Sequence, residues 1–183
     1  MCTYGKFFDF IPKLYSAIAK LQISNEWWTA PAEAENGNTI LVTGRKSLQN
    51  VRLTQKYNYR IEITWAYQGD AKGMPDFQTS KLMEQVQDAL EACFDNDPVA
   101  VNTGIYTGDG ERNWVFYTRS LHIFQRKLNE ALASFPVLPL TFHAEDDPPM
   151  GRTQRNVPSR SESRRAVERS PGYAHYRKIA TSK

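Results

Sequence analysis

The sequence predicts an α+β protein on the ferredoxin-like, split β-α-β plan. That plan is an antiparallel sheet with two helices on one face. A helix and a β-hairpin extension are added at the N-terminus. Three observations predict it. The run "YNYRIEITWAY" alternates, with Tyr59, Ile61, Ile63, Trp65 and Tyr67 on one face and Arg60, Glu62 and Thr64 on the other; period two with β-branched and aromatic residues is what a half-buried strand requires. Two segments with apolar residues at spacings of three and four follow strands rather than each other. The string "GDGE" separates two further strand-like runs, and Asp-Gly signals a hairpin because it tolerates positive φ. From residue 57 to 144 the order is β-α-β-β-α-β.

The segment from Pro12 to Gln22 reads as a short helix. Proline suits the first turn, and Leu14, Tyr15, Ile18 and Leu21 form one stripe. "TAPAEAENGN" reads as a polar loop with a turn at Asn36-Gly37. Thr39 to Thr43 and Asn50 to Thr54 each alternate briefly and read as strands, the hairpin extension. The strand ending at Tyr67 is broken by "QGDAKGMPD". A helix then carries Leu82, Met83, Val86, Leu90, Cys93 and Phe94 on one face, capped by Asp76 or Thr79. Val99 to Thr107 and Asn113 to Arg119 are the strands around the hairpin turn. Ser120 caps a second helix bearing Leu121, Phe124, Leu128 and Leu132, which Pro136 stops. Leu138 to His143 is the last strand. The first strand of a ferredoxin-like sheet is central. The strands before it therefore extend a sheet edge or lie over the open face.

A chain of 183 residues supports one domain with extensions. Residues 1–25 read as a helical segment, 26–149 as the α+β domain and 150–183 as a basic, disordered tail. Charge divides the same way: nine Lys/Arg against two Asp/Glu in 151–183, and 14 against 18 in 1–150. An acidic body argues against a phosphate backbone as ligand, so any nucleic-acid argument rests on the tail. The apolar N-terminal patch is interrupted by Asp9, Pro12, Lys13 and Lys20, which excludes a membrane span there. Cys2 and Cys93 are the two cysteines, without a metal or disulfide spacing, so a reducing cytoplasm is expected.

No motif carries a chemistry. "TGRKS" resembles the end of a phosphate loop, but Ile40 and Arg45 stand where that loop needs glycines. "TGIYTGDGE" lacks G-x-G-x-x-G spacing and does not open a helix. His122, His143 and His175 show no metal spacing, so neither a metal nor another cofactor is expected. Asp146 and Asp147 read as solvated residues of an exit loop. The aromatics on the sheet strands have more to offer. A binding surface would use Trp65, Tyr67, Tyr106, Trp114 and Tyr117, with Asp109, Glu111 and Arg112 at the hairpin. The structural reading puts half of these rings under the helices and the rest under residues 1–56.

The strings "RIEITWAYQGDAKGMPDFQTSKLMEQVQDALE", "AVNTGIYTGDGERNWVFYTRS", "FQRKLNEAL" and "LPLTFHAEDDP" resemble the bacterial family of unknown function numbered 695, over residues 26 to 149. The resemblance implies no catalytic residues. Members found beside domains similar to regulator B of ribonuclease E activity also suggest a ferredoxin-like fold. It implies, too, an acidic continuation with a tryptophan after the Asp-Pro, where this chain has "MGRTQRNVPSRSESRRAVERS". One choice of codons for Gly151 to Val157, read with two bases added in front, gives Trp-Glu-Glu-Arg-Asn-Glu-Met. The tail therefore also reads as a frameshift product.

These observations lead to a cytoplasmic, non-enzymatic binding or regulatory module that acts through contacts with another protein. One alternative is an RNA-binding module using the free sheet face and the basic tail. Another is a hydrolase-like enzyme with its site near the 108–114 hairpin.

Overall fold

The computed structural model describes residues 23–95, 97–148, 150 and 151. The helix expected over Pro12 to Gln22 and the basic tail from residue 152 onward lie outside the described residues. Six strands form one sheet: β1 (Trp27–Glu33), β2 (Thr39–Arg45), β3 (Tyr59–Ala66), β4 (Ala100–Gly108), β5 (Glu111–Thr118) and β6 (Leu140–Asp146). Among the described residues three helices accompany them: α1 (Gln49–Leu53), α2 (Phe77–Phe94) and α3 (Leu121–Leu132). The sheet order is β1-β2-β4-β5-β3-β6, and every neighbouring pair is antiparallel.

Strand β3 shows why the sheet has two packed sides. Ile61, Ile63 and Trp65 face a core built with Met83, Val86, Leu90 and Phe94 of α2 and Phe124 and Leu128 of α3. Both long helices therefore cover one side. The rings of Phe94, Phe116 and Phe124 meet there, with centroids 4.9–5.3 Å apart. On the other side Tyr106, Val115 and Tyr117 pack with Ile40, Val51, Tyr57 and Met150. Met150, grouped by the sequence with the tail, belongs to this second core. Arg60 and Glu62 also face this side. They are buried as an ion pair of 3.0 Å, with Glu145 3.2 Å from the same guanidinium.

Both helix caps follow the sequence. Asp76 accepts from the backbone N–H of Thr79, and Ser120 from that of Ile123. Asp109 and Gly110 form a two-residue turn with φ of 54° and 81°. The pair Gly108↔Glu111 closes it, as a hairpin with two left-handed central residues requires.

Strand β4 contains the sheet's irregularity. Asn102 opposes Phe116 while Gly104 opposes Val115, so Thr103 is an extra residue. Its hydroxyl donates to the carbonyl of Val115 at 3.2 Å. The bulge inverts the alternation, which is why Ala100 and Ile105 share the helix-covered side although one is even and one odd.

The extension differs from the sequence reading in two places. Asn50 to Thr54, expected as a strand, belongs to a turn and a half of helix, α1. Val51 is buried while Leu53 is 69% exposed, so the short alternation did not describe one face. The expected loop at 29–38 supplies most of β1. Ala and Glu disguise it, and Pro31 is tolerated because β1 is an edge strand. The hairpin is therefore β1–β2, turning at Asn36-Gly37, and it lengthens the sheet beyond β4. Residues 48–57 instead fold across the second side, through Leu48, Val51 and Tyr57.

Candidate functional site

Helices α2 and α3 lie over the middle of the sheet, and the β1–β2 hairpin carries the sheet past them. A groove of about 450 Å³ results, between α2 and the strands it leaves uncovered. Its floor is Trp27 and Thr29 of β1, Leu41 and Thr43 of β2, and Ile105, Thr107 and Arg112 of β4 and β5. Ser80, Glu84, Gln87 and Glu91 of α2 form the wall, and Met74 and Pro75 close one end. The strand pairings make the floor a lattice. Thr107 opposes both Leu41 and Arg112, and Thr43 opposes both Thr29 and Ile105. The hydroxyls of Thr29 and Thr43 lie 3.1 Å apart in a hydrogen bond.

Arg112 stands where helix cover ends. It is paired across β3 with buried Trp65 and across β4 with groove-lining Thr107. Its guanidinium lies over the Trp114 ring, 5.1 Å from the centroid, and its Nε is buried without an acceptor. Burial lowers its pKa, while the charges of Glu84, Tyr67 and Glu91 work the other way. No carboxylate among the described residues lies within ion-pair distance of it. Behind it, the indole N–H of Trp114 donates to Oε1 of Gln87, and Nε2 of Gln87 donates to Glu91 at 2.5 Å. The Trp114–Gln87 bond fixes the wall helix α2 to β5, the strand that carries Arg112.

The hairpin residues have a different role. Asp109 accepts at Oδ1 from the side-chain amides of Asn36 and Asn38, each at 2.7 Å. The backbone N–H of Gly110 donates to Gly73, and the carbonyl of Gly110 accepts from Tyr67. The Tyr67 hydroxyl donates to the Gly73 carbonyl at 3.0 Å, and burial pushes its pKa up to about 12. Three loops are thus sewn together at one end of the sheet. Glu111 beside them is pushed above the usual carboxylate range, by burial first and then by Asp109 and Glu62. Asp70 organises the third loop by accepting from the N–H groups of Lys72 and Met74, which holds its carboxyl low.

Residues 25–149 match the model of a family described as "Family of unknown function (DUF695)". The chain belongs to DUF695. The matched span begins just before β1 and ends just after β6, so it takes in every element of this fold. No curated protein and no solved structure matches the chain.

Of the eight residues selected from the sequence, the DUF695 fold brings Arg112 alone into the groove. Trp65 and Trp114 are under the helices, and Tyr106 and Tyr117 lie in the second core. Tyr67, Asp109 and Glu111 belong to the stitched loops. The groove residues of β1 went unread because that strand looked like a loop. Those of α2 had a visible signal: Ser80, Glu84, Gln87 and Glu91 recur at four, three and four, a polar stripe beside the apolar one. Among the described residues no group of His, Cys, Asp and Glu is placed to hold a metal, and no helix is long and apolar enough to cross a membrane.

Proposed function

We propose that this DUF695 chain is a binding module that receives an extended segment of a partner protein in the groove beside α2. The observation that carries the reading is the uncovered floor formed by β1, β2 and β4, walled on one side by a helix. Its elements are joined by the bond between the Thr29 and Thr43 hydroxyls and by that from Trp114 to Gln87. A pre-formed, mixed polar and apolar cleft is the usual form of a recognition site. The frame beneath it we take to be ferredoxin-like, supported by the order β6-β3-β5-β4 and by α2 and α3 packing on the same side. Cytoplasmic location is supported by the free thiol of Cys93.

A photo-crosslinking residue placed at Thr29 or Ser80 tests this. Adducts with one protein, formed from these positions and not from Gln125 on α3, support it. Adducts from Gln125 alone, or equally from all three positions, overturn it. The RNA reading requires open ring faces. Trp65, Trp114, Tyr106 and Tyr117 are all buried, which favours the protein partner.

A further inference from the structure

We infer that Arg112 is an anchor for a carboxylate, and that the segment entering the groove carries an acidic side chain at that point. The inference rests on the groove reading and names the chemistry of its ligand. Arg112 combines four properties, and its place in the groove separates it from Arg119, which shares the other three. It lines the groove, and it stacks on Trp114 with the ring face 5.1 Å away. Its Nε is buried and lacks an acceptor. No carboxylate among the described residues forms an ion pair with it.

Arg119, whose Nε also lacks an acceptor, lies outside the groove over Tyr57 and donates to its hydroxyl at 3.1 Å. The two fully buried arginines, Arg45 and Arg60, are treated differently. Arg45 donates to the Asn102 carbonyl, the Ser24 carbonyl and Asp95, at 2.8, 3.0 and 2.7 Å. Arg60 lies against Glu62 and Glu145. A buried donor left without a partner is costly. An incoming carboxylate removes that cost, and the fork of a guanidinium matches its two oxygens.

The surroundings select the kind of anion. Glu84 and Glu91 line the same groove and act electrostatically on Arg112. Arg112 is the single cation among the lining residues, so a carboxylate's one charge is matched there. The second charge of a phosphate dianion has no cation to pair with and faces Glu84 and Glu91. Apolar floor residues Leu41, Ile105 and Trp27 suit aliphatic neighbours on either side of the acid. A short peptide of the form apolar-acidic-apolar fits this arrangement.

The test is an NMR titration of the full-length, ¹⁵N-labelled chain, following the Arg112 Nε–H and the Trp27 indole N–H. The probes are acetyl-Leu-Glu-Leu-amide, its Gln counterpart, benzoate, benzamide and methyl phosphate. Saturable shifts of the Arg112 signal by the Glu peptide and by benzoate, with much weaker effects from the amides and methyl phosphate, are expected. Arg112→Gln should weaken the Glu peptide about tenfold or more. Should that variant unfold, Glu84→Gln supplies the check: it should tighten the peptide roughly threefold, through one less repulsion. If Glu and Gln peptides shift the groove equally, the carboxylate anchor is overturned and the groove reading stands. If methyl phosphate matches the carboxylates, the selection argument is overturned. If benzoate alone binds, the anchor stands and the polypeptide ligand is overturned. If no probe moves either signal, both readings are overturned.

Discussion

The side-chain amide of Asn38 donates to Oδ1 of Asp109 at 2.7 Å, joining the β1–β2 turn to the β4–β5 turn across 71 residues of sequence. Asn36 reaches the same oxygen at the same distance. The hairpin carboxylate that looked like a candidate reactive group is therefore a fastening between turns.

Asp109→Ala removes both bonds and leaves a Cβ-bearing residue at φ 54° without its local compensation. A loss of about 2–4 kcal/mol is expected in urea unfolding. Asp109→Gly, which relieves the backbone, should lose about 1 kcal/mol less. Equal losses in the two variants would show that the backbone term is negligible.

Gly108 and Gly110 offer a second paired comparison. A Cβ at Gly108 would run into the carbonyl of Thr39 on the neighbouring strand, at φ 147°. At Gly110 the nearest atom is the Tyr67 carbonyl oxygen at 3.4 Å, so the φ of 81° is the main cost. Gly108→Ala should cost about 3 kcal/mol or more, and Gly110→Ala about 1–2 kcal/mol. Thermal denaturation of both variants ranks them, and the reverse ranking would contradict the strand contact.

Trp65 is 4% exposed, packed with Ile63 and Trp114 under α2 and α3. Trp65→Ala should cost about 3–5 kcal/mol. A loss under about 1 kcal/mol with intact circular dichroism would refute its place in the core.

Glu111 makes stability depend on pH. Burial raises its folded pKa above the usual 4.5. The folded chain therefore holds that proton more tightly than the unfolded chain. The contribution is most favourable below the usual value and is lost as pH rises through the raised one. Glu111→Gln, a permanent neutral mimic, should raise Tm at about pH 7 and leave it nearly unchanged at about pH 3. Equal shifts at both pH values would assign the effect to packing.

Strong periodicity made most of the frame legible. Tyr59 to Trp65 alternates, α2 and α3 carry caps and stripes, and Asp109-Gly110 permits one kind of hairpin. β1 was hidden because Ala30, Pro31, Ala32 and Glu33 have weak strand propensity, and pairing with β2 overrides it. α1 was hidden because two apolar residues are too few to distinguish a period of two from one of 3.6. Of the groove, Arg112 alone was selected from the sequence, beside a polar stripe on α2 that was visible there. Its other residues come from three strands, a loop and a helix face, and only the sheet order brings those together.

Thr103 gives this sheet an unequal tolerance of changes in length. A residue lost from the 67–76 loop disturbs the bonds at Asp70 and Gly73 but leaves the two faces of every strand where they were. A residue lost at Thr103 itself would leave an unbroken alternation, with Asn102 still opposite Phe116 and Gly104 still opposite Val115. A residue lost between Gly104 and Gly108 would instead exchange the two sides of β4 for everything after it. Insertions and deletions should thus accumulate in the loops of diverging DUF695 chains. Any change in the spacing between Ala100 and Gly108 should be confined to the loss of the bulge residue at 103, even where the amino acids in between are replaced.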